Sequence, residues 1–259
     1  MATGKAIVIN LTRRPDRLIR FNQFYRESGP VLPLHVFEAI DGSNADFITK
    51  VPSDLVDSLS SVNDYGSRDS IRATAYSHLM VWKLISESEE DYGIVFEDDC
   101  HFRPHNTRLP KISRESMTIK WPSIIEDYAP QLNNPRSILY FGVGDILPIC
   151  TDVPSQAMLI AQESQHVLKP QEGKYYGRPN FNSPYVFSWL GCSSYVLSKV
   201  QAIYLLTIAS RYPLGCAVDA WLKNLYEAGA INIHLTVPLM TFTPLVMDSN
   251  TSFPELGYT

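Results

Sequence analysis

The sequence predicts an α/β fold on a central, mostly parallel sheet, from three observations: an opening strand-helix-strand unit, apolar runs alternating with amphipathic helical stretches, and acids placed where a strand ends. Ala6-Ile7-Val8-Ile9 is a continuous apolar run rich in β-branched residues, as in a strand covered on both faces, and should end at Asn10-Leu11. Thr12 suits a cap and Pro15 a first helical turn, with Leu18, Phe21, Phe24 and Tyr25 on one face, until Gly29-Pro30 ends the helix. A second strand fits Leu34 to Ile40 and closes at the turn pair Asp41-Gly42.

Between Asp69 and Ser86, Ile71, Ala75, Leu79, Trp82 and Ile85 recur at near-helical spacing, and Tyr92 to Phe96 reads as the next strand. Ile138 to Val143, Tyr185 to Leu190 and Ile231 to Val237 read as further strands, and Ser198 to Ala209 and Val218 to Glu227 as helices. Residues 103–135 and 148–184, rich in Pro, Asn and Gln and without a clean period, read as long loops of the kind that hold substrate. No internal repeat or low-complexity tract interrupts this pattern.

A chain of 259 residues, 45% apolar and 19% charged, can bury its core in a single domain spanning 1–259. A net charge of -5 argues against nucleic acid as a partner. Cys100, Cys150, Cys192 and Cys216 form neither a CxxC pair nor a disulfide framework, which suits reduced thiols. The opening residues lack a signal-type apolar stretch and no later run reaches the length of a membrane span, so a cytoplasmic location is expected.

The sharpest local feature is Tyr92-Gly93-Ile94-Val95-Phe96-Glu97-Asp98-Asp99, an apolar strand running into three acids. In extended chain, Glu97 and Asp99 share a side while Asp98 faces away. Two convergent carboxylates suit Mg²⁺ or Mn²⁺, which take oxygen ligands and complete their shells with water and substrate phosphates. A solvated acidic turn accounts for an isolated triplet equally well.

Other segments agree with the triplet in order and spacing. Val8-Ile9-Asn10-Leu11-Thr12-Arg13-Arg14-Pro15-Asp16-Arg17, Glu38-Ala39-Ile40-Asp41-Gly42 and Ser77-His78-Leu79-Met80-Val81-Trp82 precede it or lead to it. Leu139-Tyr140-Phe141-Gly142, Gly191-Cys192-Ser193-Ser194-Tyr195-Val196-Leu197-Ser198 and Ala217-Val218-Asp219-Ala220-Trp221-Leu222 follow. Together they resemble glycosyltransferase family 25, which includes bacterial lipooligosaccharide galactosyltransferases and collagen galactosyltransferase domains. The resemblance implies a GT-A-like single domain and a nucleoside-diphosphate sugar donor, usually UDP-linked. It also implies an Asp-x-Asp-type metal site at Glu97-Asp98-Asp99 and inverting transfer to a glycan or glycoprotein hydroxyl. Where the family tends to place a Gly-Cys pair before Ser-His, this chain has Arg72-Ala73-Thr74-Ala75-Tyr76.

Within that frame, Asn10, Thr12 and Arg14 lie just beyond the first strand, where open α/β sheets bind ligands, and Arg14 or Arg17 would contact base or phosphate. Asp41 would accept a ribose hydroxyl, though Asp-Gly is also a common turn. The resemblance makes Ser77, His78 and Asp98 donor contacts and Glu97 and Asp99 the metal ligands. Asp219, in the first turn of its helix, is the candidate base that takes the acceptor proton, and Asp145 the reserve. His101 and His105 have the i, i+4 spacing of a helical zinc site, but Pro104 between them breaks that helix. The competing functions are a nucleotide-sugar-binding protein without turnover and a metal-dependent nucleotidyltransferase or phosphohydrolase.

Overall fold

The protein is described by a computed structural model, at residues 3–28, 32–59, 69–102, 121–143, 168–170, 176–179, 191–236 and 240–242. The expected opening unit is present: β1 (Gly4–Asn10), α1 (Pro15–Glu27) and β2 (Leu34–Glu38). A 3-10 turn at Phe47–Lys50 and a short α2 (Ser53–Val56) lead on to α3 (Asp69–Ser86) and β3 (Tyr92–Glu97). Then come β4 (His101–Phe102), α4 (Trp121–Leu132), β5 (Ser137–Tyr140), β6 (Gly142–Val143), β7 (Leu168–Pro170) and β8 (Tyr176–Pro179). The last elements are β9 (Ser194–Ser198), α5 (Lys199–Arg211), α6 (Val218–Glu227), β10 (Asn232–Thr236) and β11 (Thr241–Phe242).

The main sheet has the order β2-β1-β3-β9-β5-β10-β8-β7, and a small second sheet has the order β4-β11-β6. β1 pairs in parallel with both β2 and β3, and β5 in parallel with β10. β9 runs antiparallel between β3 and β5, and β8 antiparallel to β10 and β7. The sheet is therefore mixed, with most strands sharing one direction but β9 reversed at its centre. In register, Ile9 faces both Phe37 and Glu97, so β1, β2 and β3 end together. β2 and β3 lie on opposite sides of β1, which opens a crevice at the carboxyl ends of these strands, the usual ligand position in open α/β sheets.

The alternation of β1 and β3 builds two cores. Ala6, Val8, Ile94 and Phe96 face a layer with Phe21 and Tyr25 of α1 and Tyr128 of α4. Ile7, Ile9 and Val95 face the other layer, with Leu79 and Trp82 of α3, Leu205 of α5 and Trp221 of α6. Burial on both sides is what the continuous apolar runs demanded.

Several details depart from the sequence expectation. No side chain caps α1: Arg14 holds the N-cap position, and Pro15 alone marks the start. Trp121–Leu132 is a helix inside the stretch read as loop, with Pro130 in its last turn. The run from Ile138 to Val143 divides at Phe141, its last residues joining the second sheet. The strand at Ser194–Ser198 passes directly into α5, where Ser198 is a capping-box residue with Gln201. The strand expected over Tyr185 to Leu190 lies outside the described residues. No helix among the described residues is long and apolar enough to cross a membrane.

The turn after β2 packs tightly against the start of α3. A Cβ on Gly42 would sit 2.4 Å from the backbone oxygen of Asp69 and 2.7 Å from the nitrogen of Ser70. Neither backbone atom can rotate away, so Gly42→Ala must displace the start of α3. It should destabilise the protein by about 1–3 kcal/mol, read as a lowered urea midpoint at unchanged slope.

Candidate functional site

The crevice at the ends of β1 and β3 is an open cleft of about 560 Å³, a size that suits a small-molecule ligand. Arg13, Asp41, Ser77, His78, Glu97, Asp98 and Asp99 all line it. Six of these seven are sequence-predicted residues, brought together from two strand ends and one helix, and Arg13 comes from a third strand end.

Strand alternation separates the acids. Asp98 shares the parity of Ile94 and Phe96 and turns to the α1 side, where Asn10 Nδ2 donates to its Oδ2 at 2.7 Å and Arg17 Nη1 to its Oδ1 at 3.0 Å. Asn10 Nδ2 also donates to the carbonyl of Arg14 at 3.1 Å, joining the acid to the start of α1. Asp98 and Arg17 are both buried. Burial pushes the Asp98 carboxyl up, and Arg17 and Asn10 work against that rise. Arg17 is thus a buried counter-ion on the inner face of its helix.

Glu97 turns to the opposite layer. Its Oε1 lies 3.0 Å from His78 Nε2, with the Cys192 thiol 3.9 Å away. Behind the imidazole, His78 Nδ1 is 2.7 Å from Tyr195 Oη, which accepts the Trp82 indole N–H at 2.8 Å. Having accepted from Trp82, Tyr195 gives its own proton to Nδ1, which leaves the His78 proton on Nε2, aimed at Glu97. His78 is fully buried and half-buried Glu97 opens to the cleft.

Asp99 belongs to neither arrangement. The chain turns after Glu97, so alternation stops, and Asp99 Oδ2 comes 3.9 Å from Arg17 Nη1. Its Oδ1 is buried without a hydrogen-bond partner, as is Ser193 Oγ. Burial, then the charges of Glu97 and Asp98, push the Asp99 carboxyl up to about 7. Asp98 and Asp99 share one guanidinium here, and the orphaned oxygen is of the hard type that Mg²⁺ or Mn²⁺ prefers. Asp99, with Glu97 beside it, therefore fits a divalent cation, while Asp98 has both oxygens committed to protein donors.

Asp41 sits at the mouth of the cleft. Arg13 Nε donates to its Oδ2 at 2.8 Å, and the Ser43 backbone N–H and hydroxyl donate to its Oδ1 at 3.0 and 2.8 Å. Burial raises the Asp41 carboxyl, but these donors outweigh it and hold it below the ordinary range. Ser77 Oγ donates to Ala73 O at 2.8 Å and accepts the Ile40 N–H at 2.9 Å, tying β2's end to α3. Arg14 forks onto Asp16 at 2.9 and 2.8 Å, and Thr12 is exposed. Neither Thr12 nor Arg14 lines the cleft; the basic side chain that does so from this loop is Arg13.

Asp219 occupies the first turn of α6 and accepts the Ala220 N–H at 2.8 Å. A backbone hydrogen bond from Gly191 also reaches its carboxyl. Burial pushes the carboxyl up, the two backbone bonds oppose it, and the Glu97 charge adds to the rise. Gly191 has φ 122°, open only to glycine without strain, which fixes the path of the chain from Asp219's donor to Cys192. Asp145 lies outside the described residues, as does His105. The residues that sequence reasoning left without a role at the site are Arg13, Cys192, Tyr195 and Trp82, and Arg17, expected to contact base or phosphate, is instead the buried partner of Asp98. Only the parity of β1 and β3 could have pointed to Arg17.

Among known proteins, residues 4–131 match the model of glycosyltransferase family 25, described as LPS biosynthesis protein. No curated protein matches. Among solved structures, mouse xyloside xylosyltransferase 1 in its apo form aligns with 92% of this chain and 79% of its own, at 9% identity and a TM-score of 0.36. A likeness at that level says nothing about the site.

Replacing Arg17 with Met keeps the volume but strands Asp98 as a buried carboxylate. Arg17→Met should destabilise the fold by about 3–5 kcal/mol, against about 1–3 kcal/mol for Asn10→Ala, which removes one neutral donor. Urea denaturation of the two variants tests that order.

Proposed function

We propose, on the premise that over residues 4–131 this chain belongs to glycosyltransferase family 25 and is a glycosyltransferase, that it transfers a sugar from a nucleoside-diphosphate sugar, UDP-linked by family resemblance, to a glycan or glycoprotein hydroxyl with inversion. The observation that carries the proposal is the division of labour among the three acids: Asp98 locked by Asn10 and Arg17, Asp99 left with a buried, unpartnered oxygen beside an open cleft.

Glu97 and Asp99 would hold Mn²⁺ or Mg²⁺, which when bound supplies positive charge to the departing diphosphate. The protein's own groups set the rest. Arg13 is half exposed at the cleft mouth and offers its guanidinium to a phosphate, while Asp41 offers carboxylate oxygens to a ribose hydroxyl. Ser77 serves indirectly by holding Ile40 and the β2 end in place, and His78 by orienting Glu97. Asn10 acts through Asp98, fixing the turn from which Asp99 projects. Thr12 and Arg14 are left as contacts to parts of the donor outside the cleft proper.

Asp219 is the proposed base. Burial raises its carboxyl above the ordinary carboxylate range, which strengthens it as a proton acceptor. It lies within charge reach of Glu97, so acceptor and donor would meet between them. The acceptor oxygen bonds to the anomeric carbon as its proton passes to Asp219. The bond from that carbon to the diphosphate breaks, and its electron pair leaves with the diphosphate. Attack opposite the leaving group inverts the centre.

Asp219→Asn removes the proton acceptor and leaves the donor cleft intact. It should lower kcat by about 10²–10⁴-fold while donor affinity changes less than about threefold. Transfer at the wild-type rate would remove Asp219 from the mechanism, and an equal loss of donor binding would make it a binding residue.

A further inference from the structure

We propose that His78, Glu97 and Cys192 form a second metal site, selective for zinc-class ions, opening into the cleft beside the acid triplet. One ligand atom from each lies within 4.8 Å of the others. His78 Nε2 and Glu97 Oε1 are 3.0 Å apart, His78 Nε2 and Cys192 Sγ 3.6 Å, and Cys192 Sγ and Glu97 Oε1 3.9 Å. A tetrahedral zinc ion, with bonds of about 2.0 Å to nitrogen and oxygen and about 2.3 Å to sulfur, sets its ligands roughly 3.3–3.6 Å apart. The triad meets that spacing to within a few tenths of an ångström.

The donor types select the ion. Imidazole and thiolate favour zinc and cobalt, whereas Mg²⁺ and Mn²⁺ favour the all-oxygen donors at Asp99. Three protein ligands leave a fourth position, and it faces the cleft, because His78 and Cys192 are buried and Glu97 is the member that opens outwards. The outer partners suit a ligating histidine: Tyr195 Oη stands 2.7 Å from Nδ1 and is itself held by Trp82. On binding, the thiol proton leaves to solvent, and the imidazole proton leaves Nε2 for Nδ1, where Tyr195 Oη accepts its hydrogen bond. Glu97 is shared with the site proposed above for Mn²⁺ or Mg²⁺, so zinc here takes a ligand from it and would inhibit transfer.

Cobalt(II) tests the site without a donor, an acceptor or turnover, so its outcome is separate from that of the transfer reaction. Metal-free full-length protein titrated with Co²⁺ should develop a thiolate-to-cobalt charge-transfer band that saturates at one equivalent and disappears on adding Zn²⁺. Cys192→Ser should abolish the band and Cys216→Ser should retain it. Absence of the band at saturating Co²⁺, or its survival in Cys192→Ser, overturns the proposal. Should Cys192→Ser not fold, X-ray absorption of zinc-loaded Cys216→Ser protein decides instead. One sulfur neighbour at about 2.3 Å among nitrogen and oxygen neighbours is expected, and a shell without sulfur overturns the site.

Discussion

A carboxylate taken out of water needs a partner for each oxygen, and at the end of β3 that requirement is met for one acid and left open for another. Asp98 has an amide and a guanidinium. Asp99 keeps a bare buried oxygen and is crowded by two like charges. Much of the surrounding architecture follows from satisfying the first acid. Asn10 must end β1 in register with β3, α1 must present Arg17 inwards, and the Asn10 amide bridges both to the Arg14 carbonyl. The lock holds the turn from which Asp99 projects, and so an underpaired, charge-rich edge is kept in place by a well-paired one.

Alternation along β3 sends Glu97 and Asp98 to opposite layers. Even-numbered residues from Ile94 meet α1, and odd-numbered ones meet α3. Glu97 therefore meets His78, and the chain Trp82, Tyr195, His78, Glu97 runs from core to cleft with one proton assignment that satisfies each link. The antiparallel β9 makes this possible, because its Tyr195 lies opposite Val95 on the same face. Cys192, three residues earlier, follows the glycine turn at Gly191 and is buried with its Sγ 3.6 Å from His78 Nε2.

The elements legible in the sequence were those with a long, clean period. β1, α1, β2, α3, β3, α6 and β10 all stand close to where apolar runs and helical spacing place them. β9 was hidden because its apolar stretch, Tyr195-Val196-Leu197, is bounded by serines and abuts a helix, so the two periods merge. α4 was hidden because Pro122 and Pro130 mark its segment as irregular, although one falls in the first turn and the other in the last. At the site, residue types pointed to Glu97, Asp99 and Asp41, since acids at strand ends are conspicuous, whereas His78, inside a helix, came only with the family resemblance. The partners were not announced. Arg13, Arg14 and Arg17 look alike in sequence, yet Arg13 is half exposed where it lines the cleft, Arg14 pairs locally with Asp16, and Arg17 is the buried counter-ion of Asp98 in the cleft wall. That difference is set by where α1 begins and which face it buries, which depends on the sheet.

The proposed function requires the buried, unpartnered oxygen of Asp99 to take a hard cation together with a nucleotide-sugar diphosphate. Thermal unfolding of the wild-type protein and of Asp99→Asn, each with UDP-sugars in the presence and absence of Mn²⁺, tests it most directly, since a ligand bound to the folded state raises the melting temperature. One UDP-sugar with Mn²⁺ should raise Tm by several degrees in the wild type, and Asp99→Asn should lose this increment while its fold is retained. An increment equal with and without Mn²⁺, or undiminished in Asp99→Asn, would contradict it.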